Sequence, residues 1–116
     1  MIEVERELEK AKGKLVLVEG IKDKKALESL GFVNVVTLKN RPLFEVVESI
    51  GEKEVVVLTD LDREGKKLFS ILRKGFQRRG IKVDTKLRVA LFKTGVRQIE
   101  SLKENADGNF KRNKDH

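Results

Sequence analysis

Four acidic residues stand where two buried strands are predicted to end. Glu19 directly follows one short apolar run, Asp60 follows another, and Asp62 and Glu64 come from the segment behind Asp60. Carboxylates held close together raise one another's pKa, and a divalent cation removes that conflict. Magnesium prefers carboxylate and water oxygens and keeps waters that can meet a phosphate. The pattern therefore predicts a Mg²⁺ site, with Mn²⁺ as a substitute, formed by Glu19, Asp60, Asp62 and Glu64.

A simpler interpretation of single acids at these positions is helix capping. An Asp behind a strand often caps the next helix, and Asp23 and Asp62 are both candidates for that role. An isolated Asp-x-Asp pattern is weak support for a metal. Two features favour the metal: Glu19 lies at a second strand end, where an unpaired buried acid would be costly, and basic residues begin at once with Arg63.

Apolar periodicity predicts the elements that must position these acids. Strands are predicted at 15–18, 33–38 and 55–58, with a weaker fourth at 96–102. Helices are predicted at 2–12, from Asp23 to Gly31, from Pro42 to Gly51, at 63–79 and at 86–93. The alternation predicts an α/β, Rossmann-like fold with about four mainly parallel strands and helices on both faces. If the first strand is central, a topological switch point lies between the first and third strands, where ligands bind.

The order of these segments predicts an N-terminal helix (1–13), one α/β domain (14–102) and a flexible polar tail (103–116). Within the long helix, a buried stripe is expected at Leu68, Ile71, Leu72, Gly75 and Phe76.

Charge is distributed unevenly along the 116 residues, whose net charge is +7. Residues 63–97 contain twelve Lys or Arg against two acids, which suggests a polyanionic partner, nucleic acid first. The chain has no cysteine, so disulfides and cysteine zinc sites are excluded. With no signal peptide and no apolar run of membrane-spanning length, a cytoplasmic protein without a membrane partner is expected.

Two motifs of the sequence resemble those of a known family. Leu-Val-Glu-Gly at 17–20, with Asp23 shortly after, and Leu-Thr-Asp-Leu-Asp-Arg-Glu-Gly at 58–65 resemble the two motifs of the Toprim domain. That domain is shared by type IA topoisomerases, bacterial primases, nucleases of the overcoming-lysogenization-defect class and the ribonuclease that matures 5S ribosomal RNA. The resemblance covers about 14–102 and is greatest with the small stand-alone Toprim proteins, while the second motif is closest to the topoisomerase form.

The resemblance implies roles for the matching acids. Glu19 matches the glutamate usually given the general acid/base role and also a place near the metal, and Asp60 and Asp62 match the two magnesium-binding aspartates. Glu64 matches the third acid of the topoisomerase pattern, which some Toprim nucleases lack. The chain has no tyrosine, so the covalent topoisomerase reaction is beyond it alone, and its length leaves no room for the further domains of a primase.

A magnesium-dependent nuclease and a non-catalytic Mg²⁺ and nucleic-acid-binding module of a larger RNA- or DNA-processing complex therefore both stay open. Phosphoryl or nucleotidyl transfer to a small substrate is disfavoured, because no P-loop is present. The residues expected to hold phosphates are Lys22, Arg63, Lys66 and Lys67.

RNA and DNA are both open as partners, and a homodimer is left undecided. Backbone and shape recognition is expected, because stacking surfaces are few. The phenylalanines that follow core-like patterns are Phe32, Phe44, Phe69, Phe76 and Phe92.

Overall fold

The computed structural model describes residues 2–104 and 110–112. Its helices are α1 (Ile2–Ala11), α2 (Ile21–Ser29), α3 (Leu43–Ser49), α4 (Arg63–Arg78) and α5 (Lys86–Lys93). Its strands are β1 (Val16–Val18), β2 (Val35–Thr37), β3 (Glu54–Val57), β4 (Lys82–Asp84), β5 (Leu102–Glu104) and β6 (Phe110–Arg112). A 3₁₀ turn covers Ile99–Ser101. Among the described helices, none is long and apolar enough to cross a membrane.

The main sheet has four strands in the order β2-β1-β3-β4, and every pair is parallel. Val16 of β1 pairs with Val35 on one side and with Val56 on the other, so β1 is central. The predicted α/β class, parallel sheet and switch point between the first and third strands are confirmed. Both neighbours of β1 run in its direction, so the carboxyl ends of β1 and β3 open at the same edge of the sheet.

Two cores cover the two faces of this sheet. One contains Val16, Val18 and Val56 with apolar residues of α1, α2 and α5. The other contains Leu17, Val55 and Val57 with apolar residues of α3 and α4. Helices thus lie on both faces, as predicted, because consecutive residues of a buried strand point to opposite faces and both sides must be covered. The N-terminal helix α1 contributes Val4, Leu8 and Ala11 to the first core.

The fourth strand was predicted in the wrong place. It is β4, a short strand after Gly80 that consists of Lys82, Val83 and Asp84. Its pairing with β3 makes it a strand. In the segment 96–102, Val96, Ile99 and Leu102 are buried at every third position, a spacing that suits the observed 3₁₀ turn better than a strand.

Several side chains predicted to be buried lie at the surface. Ile71 is 52% exposed, because the buried face of α4 is formed by Gly65, Leu72 and Phe76. Phe44 and Phe92 are 68% and 50% exposed, so two of the five phenylalanines assigned to the core are not part of it. Apolar spacing alone cannot tell which flank of a helix faces a neighbour.

The C-terminal segment contains more structure than the predicted polar tail. Strands β5 and β6 pair antiparallel, with Leu102 opposite Arg112 and Glu104 opposite Phe110. Residues 105–109 and 113–116, which the same prediction covered, lie outside the described residues.

Candidate metal and phosphodiester site

Glu19 and Asp60 meet at the switch point. Glu19 follows the last residue of β1, and Asp60 follows β3 after the buried residues Leu58 and Thr59. Oε2 of Glu19 accepts a hydrogen bond from the backbone N–H of Asp60 at 2.8 Å. The hydrogen bond fixes one carboxylate against the backbone that carries the other, although the two residues are far apart in sequence.

The segment behind β3 is held in place by its own side chains. Oδ1 of Asp60 accepts from the backbone N–H of Ile99 at 2.9 Å. The hydroxyl of Thr59 donates to the carbonyl of Gly65 at 2.6 Å, and the N–H of Leu61 donates to the carbonyl of Arg97 at 2.6 Å. The loop that carries the acids is therefore tied both to the start of α4 and to the segment behind α5.

Asp62 is the N-cap of α4. Its Oδ1 accepts from the N–H of Gly65 at 2.8 Å, and its backbone is extended, as N-caps require. The capping interpretation is thus confirmed for Asp62, and the cap uses only one of its two carboxylate oxygens. Asp23 differs from the prediction: α2 begins at Ile21 with Gly20 as N-cap, and Asp23 accepts from the Gly20 N–H at 3.0 Å.

Burial and neighbouring carboxylates disfavour the charged form of three acids at this edge, Glu19, Asp23 and Asp60. Burial raises the pKa of Glu19, and the charges of Asp60 and Asp62 raise it further, against the hydrogen bond from the Asp60 N–H. Burial also raises the pKa of Asp60, with Asp62 and Glu100 adding to it. Asp23 follows the same pattern, since burial comes first and the charges of Asp60 and Glu100 support it. A cation bound here would remove the repulsion.

The structure does not bring all four predicted acids into one group. Glu19, Asp60 and Asp62 act on one another electrostatically. Glu64 is exposed in the first turn of α4, and no described hydrogen bond or ion pair connects it to the other three. The charge of Glu100, in the 3₁₀ turn, instead helps to raise the pKa of Asp23 and of Asp60. Glu100 lies inside the segment 96–102 that was predicted as a strand, so the sequence gave no signal for it.

The described acids at this edge do not form a closed metal cage. Among the described residues, no three carboxylate, imidazole or thiol side chains are arranged to hold one ion. Magnesium needs no such cage, because it is usually bound by one or two carboxylates with waters and substrate phosphate completing its octahedron. Glu19, Asp60 and Asp62 each keep one oxygen outside the backbone hydrogen bonds described above. One or two of these carboxylates, and not all three together, are therefore available to an ion whose other ligands are waters.

Arg88 is a site residue that the sequence analysis missed. Its guanidinium is buried, 7% exposed, and donates to the carbonyl of Thr59 at 2.6 Å and to that of Asp60 at 3.2 Å. Burial lowers its pKa, against the charges of Glu19 and Asp60. The side chain thus connects α5 to the end of β3. The available signal was a basic residue beside the buried positions Leu87 and Ala90.

The basic residues predicted to hold phosphates lie around the same edge. Lys22 is exposed in the first turn of α2, and Arg63, Lys66 and Lys67 are exposed in the first two turns of α4. Both helices start where β1 and β3 end. Their N-terminal dipoles and their cations therefore face the side of the sheet that carries the acids.

Known proteins resemble this chain over most of its length. A UPF0292 protein of Methanocaldococcus jannaschii is 37% identical over 110 residues, covering 88% of this chain and 86% of that protein. A UPF0292 protein of Pyrococcus abyssi is 35% identical over 91 residues, covering 77% of this chain and 69% of that protein. A solved protein from Aquifex aeolicus superposes with a TM-score of 0.77 at 32% identity, covering 86% of this chain and 95% of that chain. No family model matches the chain. Because the match to the M. jannaschii protein spans nearly the whole of both sequences, this chain belongs to the UPF0292 family.

Proposed function

We propose that this chain is a magnesium-dependent nuclease that hydrolyses phosphodiester bonds of RNA or DNA. The observation that carries the proposal is the joining of Glu19 to Asp60 at the switch point, with Asp62 beside them and basic residues on the two helices that start there. Acids alone would suit a cation, and cations alone would suit a polyanion. Their combination suits a phosphate held against a metal.

The likeness of the two motifs to the Toprim pattern supports the same proposal. The motif acids Glu19, Asp60 and Asp62 stand at the ends of adjacent parallel strands, as a shared site requires. The resemblance also implies that Glu64 takes part, which the exposed position of that side chain does not favour.

The residues of the chain have separable roles in this reaction. When bound, Mg²⁺ offsets the negative charge that builds on the phosphate during attack by water. Glu19 takes a proton from the attacking water as the new P–O bond forms, and its raised pKa suits it to hold that proton. The bond to the leaving oxygen breaks on the opposite side of the phosphorus, and a solvent water gives that oxygen its proton. Lys22, Arg63 and Lys67 hold neighbouring phosphates by charge.

Cleavage of labelled single- and double-stranded RNA and DNA tests the proposal. The purified protein is assayed with Mg²⁺, with Mn²⁺ and with EDTA, beside Glu19→Gln, Asp60→Asn and the control Glu48→Gln, an exposed acid on α3. Metal-dependent cleavage that both site variants lose and the control retains is expected. Circular dichroism of each variant checks the fold, which Glu19→Gln should keep because the amide oxygen can still accept from the Asp60 N–H.

A second candidate is a non-catalytic module that binds Mg²⁺ and nucleic acid within a larger complex. It is favoured by the capping role of Asp62, which gives that acid a structural reason to be present. Binding of nucleic acid without cleavage by the wild type, unchanged in Glu19→Gln, would replace the nuclease with this module.

A further inference from the structure

A groove lies next to the acidic site, between α4 and α5. Its volume is about 280 Å³. The residues lining its walls are Lys66, Phe69 and Arg73 from α4 and Arg88, Val89 and Phe92 from α5. Leu61, which separates Asp60 from Asp62, and Thr85, which follows β4, also line it. Through Leu61 the groove adjoins both Asp60 and Asp62, and it lies beyond the carboxyl ends of β3 and β4.

The groove combines an aromatic surface with positive charge. Phe92 is half exposed, and Lys66 Nζ and the Arg97 guanidinium lie 5.2 and 5.8 Å from its ring centroid. The Arg88 guanidinium lies 4.4 Å from the ring centroid of Phe69. The lining contains three cations and no acid among the described residues, and none of the ion pairs described in the structure uses Lys66, Arg73 or Arg97.

This composition selects one class of occupant. A purely apolar partner would leave the cations without a counterion, and a bare polyanion would leave Phe92 and Val89 uncovered. A nucleotide unit supplies both a flat ring that stacks on an aromatic side chain and a phosphate for the cations. The volume is slightly below the roughly 300 Å³ at which pockets for drug-sized ligands begin, so it suits a single planar ring system.

We propose that this groove binds one nucleobase of the strand whose phosphate lies at Glu19 and Asp60, stacked on Phe92. The inference rests on the proposed function for its choice of a strand. Lys66 is a flexible, exposed side chain, so an incoming base can displace it from the ring toward the adjoining phosphate. Arg88 forms both a wall of the groove and the contact with the carbonyls of Thr59 and Asp60, which fixes the groove relative to the acids.

Phe92 therefore gives the protein base contacts that its aromatic content did not suggest. Exposure alone does not mark the residue, because Phe44 on α3 is more exposed and has neither groove nor cations described around it. Phe44 is thus a matched control. The chain has no tryptophan and no tyrosine, so one introduced indole reports on its own surroundings without background.

The test uses Phe92→Trp and Phe44→Trp in the full chain, with EDTA present so that strands stay intact. Short single-stranded oligonucleotides are titrated and indole fluorescence is measured. A stacked base quenches the indole, so quenching is expected for Phe92→Trp and not for Phe44→Trp. An abasic oligomer of equal length and charge should not quench. Equal quenching in both variants, or quenching by the abasic oligomer, would overturn the proposal.

Affinity provides a second readout. Stacking of one base on an aromatic ring predicts roughly five- to hundred-fold weaker binding for Phe92→Ala. Phe92→Leu should lose nearly as much, whereas Phe92→Trp and Phe44→Ala should bind like the wild type. Wild-type affinity in Phe92→Leu would reduce the contact to simple apolar packing. Equal quenching by a mononucleotide at the same concentration would overturn the assignment to a strand.

These readouts do not depend on cleavage. If the oligonucleotide quenches the fluorescence of Phe92→Trp but no substrate is cleaved, base binding in the groove is supported and the nuclease proposal is overturned. Cleavage with no base-dependent quenching overturns the groove and leaves the nuclease intact.

Discussion

Gly65, in the first turn of α4, lies directly against the backbone of Asp60. A Cβ placed on Gly65 would lie 1.9 Å from the carbonyl oxygen of Asp60 and 2.8 Å from its nitrogen. The same nitrogen donates to Glu19, and the Gly65 N–H and carbonyl are bonded by Asp62 and Thr59. The glycine is required by this close approach, since only a residue without Cβ lets α4 start against the end of β3.

Gly65→Ala should therefore separate α4 from the acidic loop. The backbone has no flexible side chain that could give way, so we expect a loss of about 3 kcal/mol or more in the free energy of unfolding. Gly51→Ala is the control, since its Cβ would meet nothing within 4 Å. Urea unfolding of both variants measures the difference. Near-wild-type stability of Gly65→Ala would contradict the close approach.

Arg88→Met should destabilise the fold and misplace the acids together. The change leaves the carbonyls of Thr59 and Asp60 without their buried donor, at about 1–3 kcal/mol for each unsatisfied group. Arg88→Lys keeps the charge but not the paired donors, so it should fall between Met and wild type. Arg78→Met, exposed on α4, should stay within about 0.5 kcal/mol. Denaturant titration distinguishes the three variants.

Glu19→Gln should raise the stability of the metal-free protein at neutral pH. The pKa of Glu19 in the folded protein is raised above its ordinary value of 4.5. The free energy of unfolding therefore decreases as the pH rises from 4.5 through the raised pKa, and this loss remains at higher pH. The amide carries no charge to desolvate, and partial solvent screening limits the gain to a few degrees in Tm. Thermal melts at pH 4 and pH 7 in EDTA should show the gain only at pH 7.

Magnesium should stabilise the wild type and not Asp60→Asn. A ligand present at about 100 times its Kd adds about 2.7 kcal/mol to the folded state. Tm is measured with and without Mg²⁺ at fixed ionic strength, with Glu48→Gln as the control acid. An equal shift in all three proteins would show that the effect is nonspecific screening.

Lys67→Ala should weaken nucleic-acid binding and reduce its dependence on salt. Each lost phosphate contact reduces the magnitude of the negative slope of log K against log salt by roughly one. Lys53→Ala is the control, because Lys53 is exposed and precedes β3 at the opposite edge of the sheet. Affinities measured across a salt series give both slopes. An equal reduction of the slope in Lys53→Ala would show that nucleic acid does not bind preferentially at the edge of the sheet that carries the acids.

Asp84→Asn should cost stability at neutral pH, and the cost should shrink as the pH falls below 3.8. Burial acts to raise the pKa of Asp84, but the hydrogen bonds from Lys14 Nζ, at 2.8 Å, and from the Lys86 N–H outweigh it and lower the pKa below its ordinary 3.8. The stability from this acid is present above 3.8 and is lost as pH falls through the lowered value. Since Lys14 is a third exposed, we expect about 1 kcal/mol, measured as the difference in unfolding free energy across pH.

The sequence determined the sheet and the acids at its edge. Runs such as 55–58 are apolar at every position, which suits only a strand covered on both faces, and helices alternate with them. Glu19 directly follows such a run and Asp60 follows another after one residue, so parallel pairing of the two strands brings them together. These predictions rest on local patterns that the chain carries wherever it folds.

Tertiary structure decided what local patterns cannot encode. Strand β4 exists because β3 offers it an open edge, and the short apolar–polar alternation from Ile81 to Asp84 is too brief to predict that pairing by itself. Arg88 and Glu100 reach the site through contacts with residues far away in sequence. Phe92 is exposed because α5 leaves that flank open toward α4, although its spacing matches a core position. Periodicity fixes which residues share a helix face, but only the packed neighbours determine whether that face is covered.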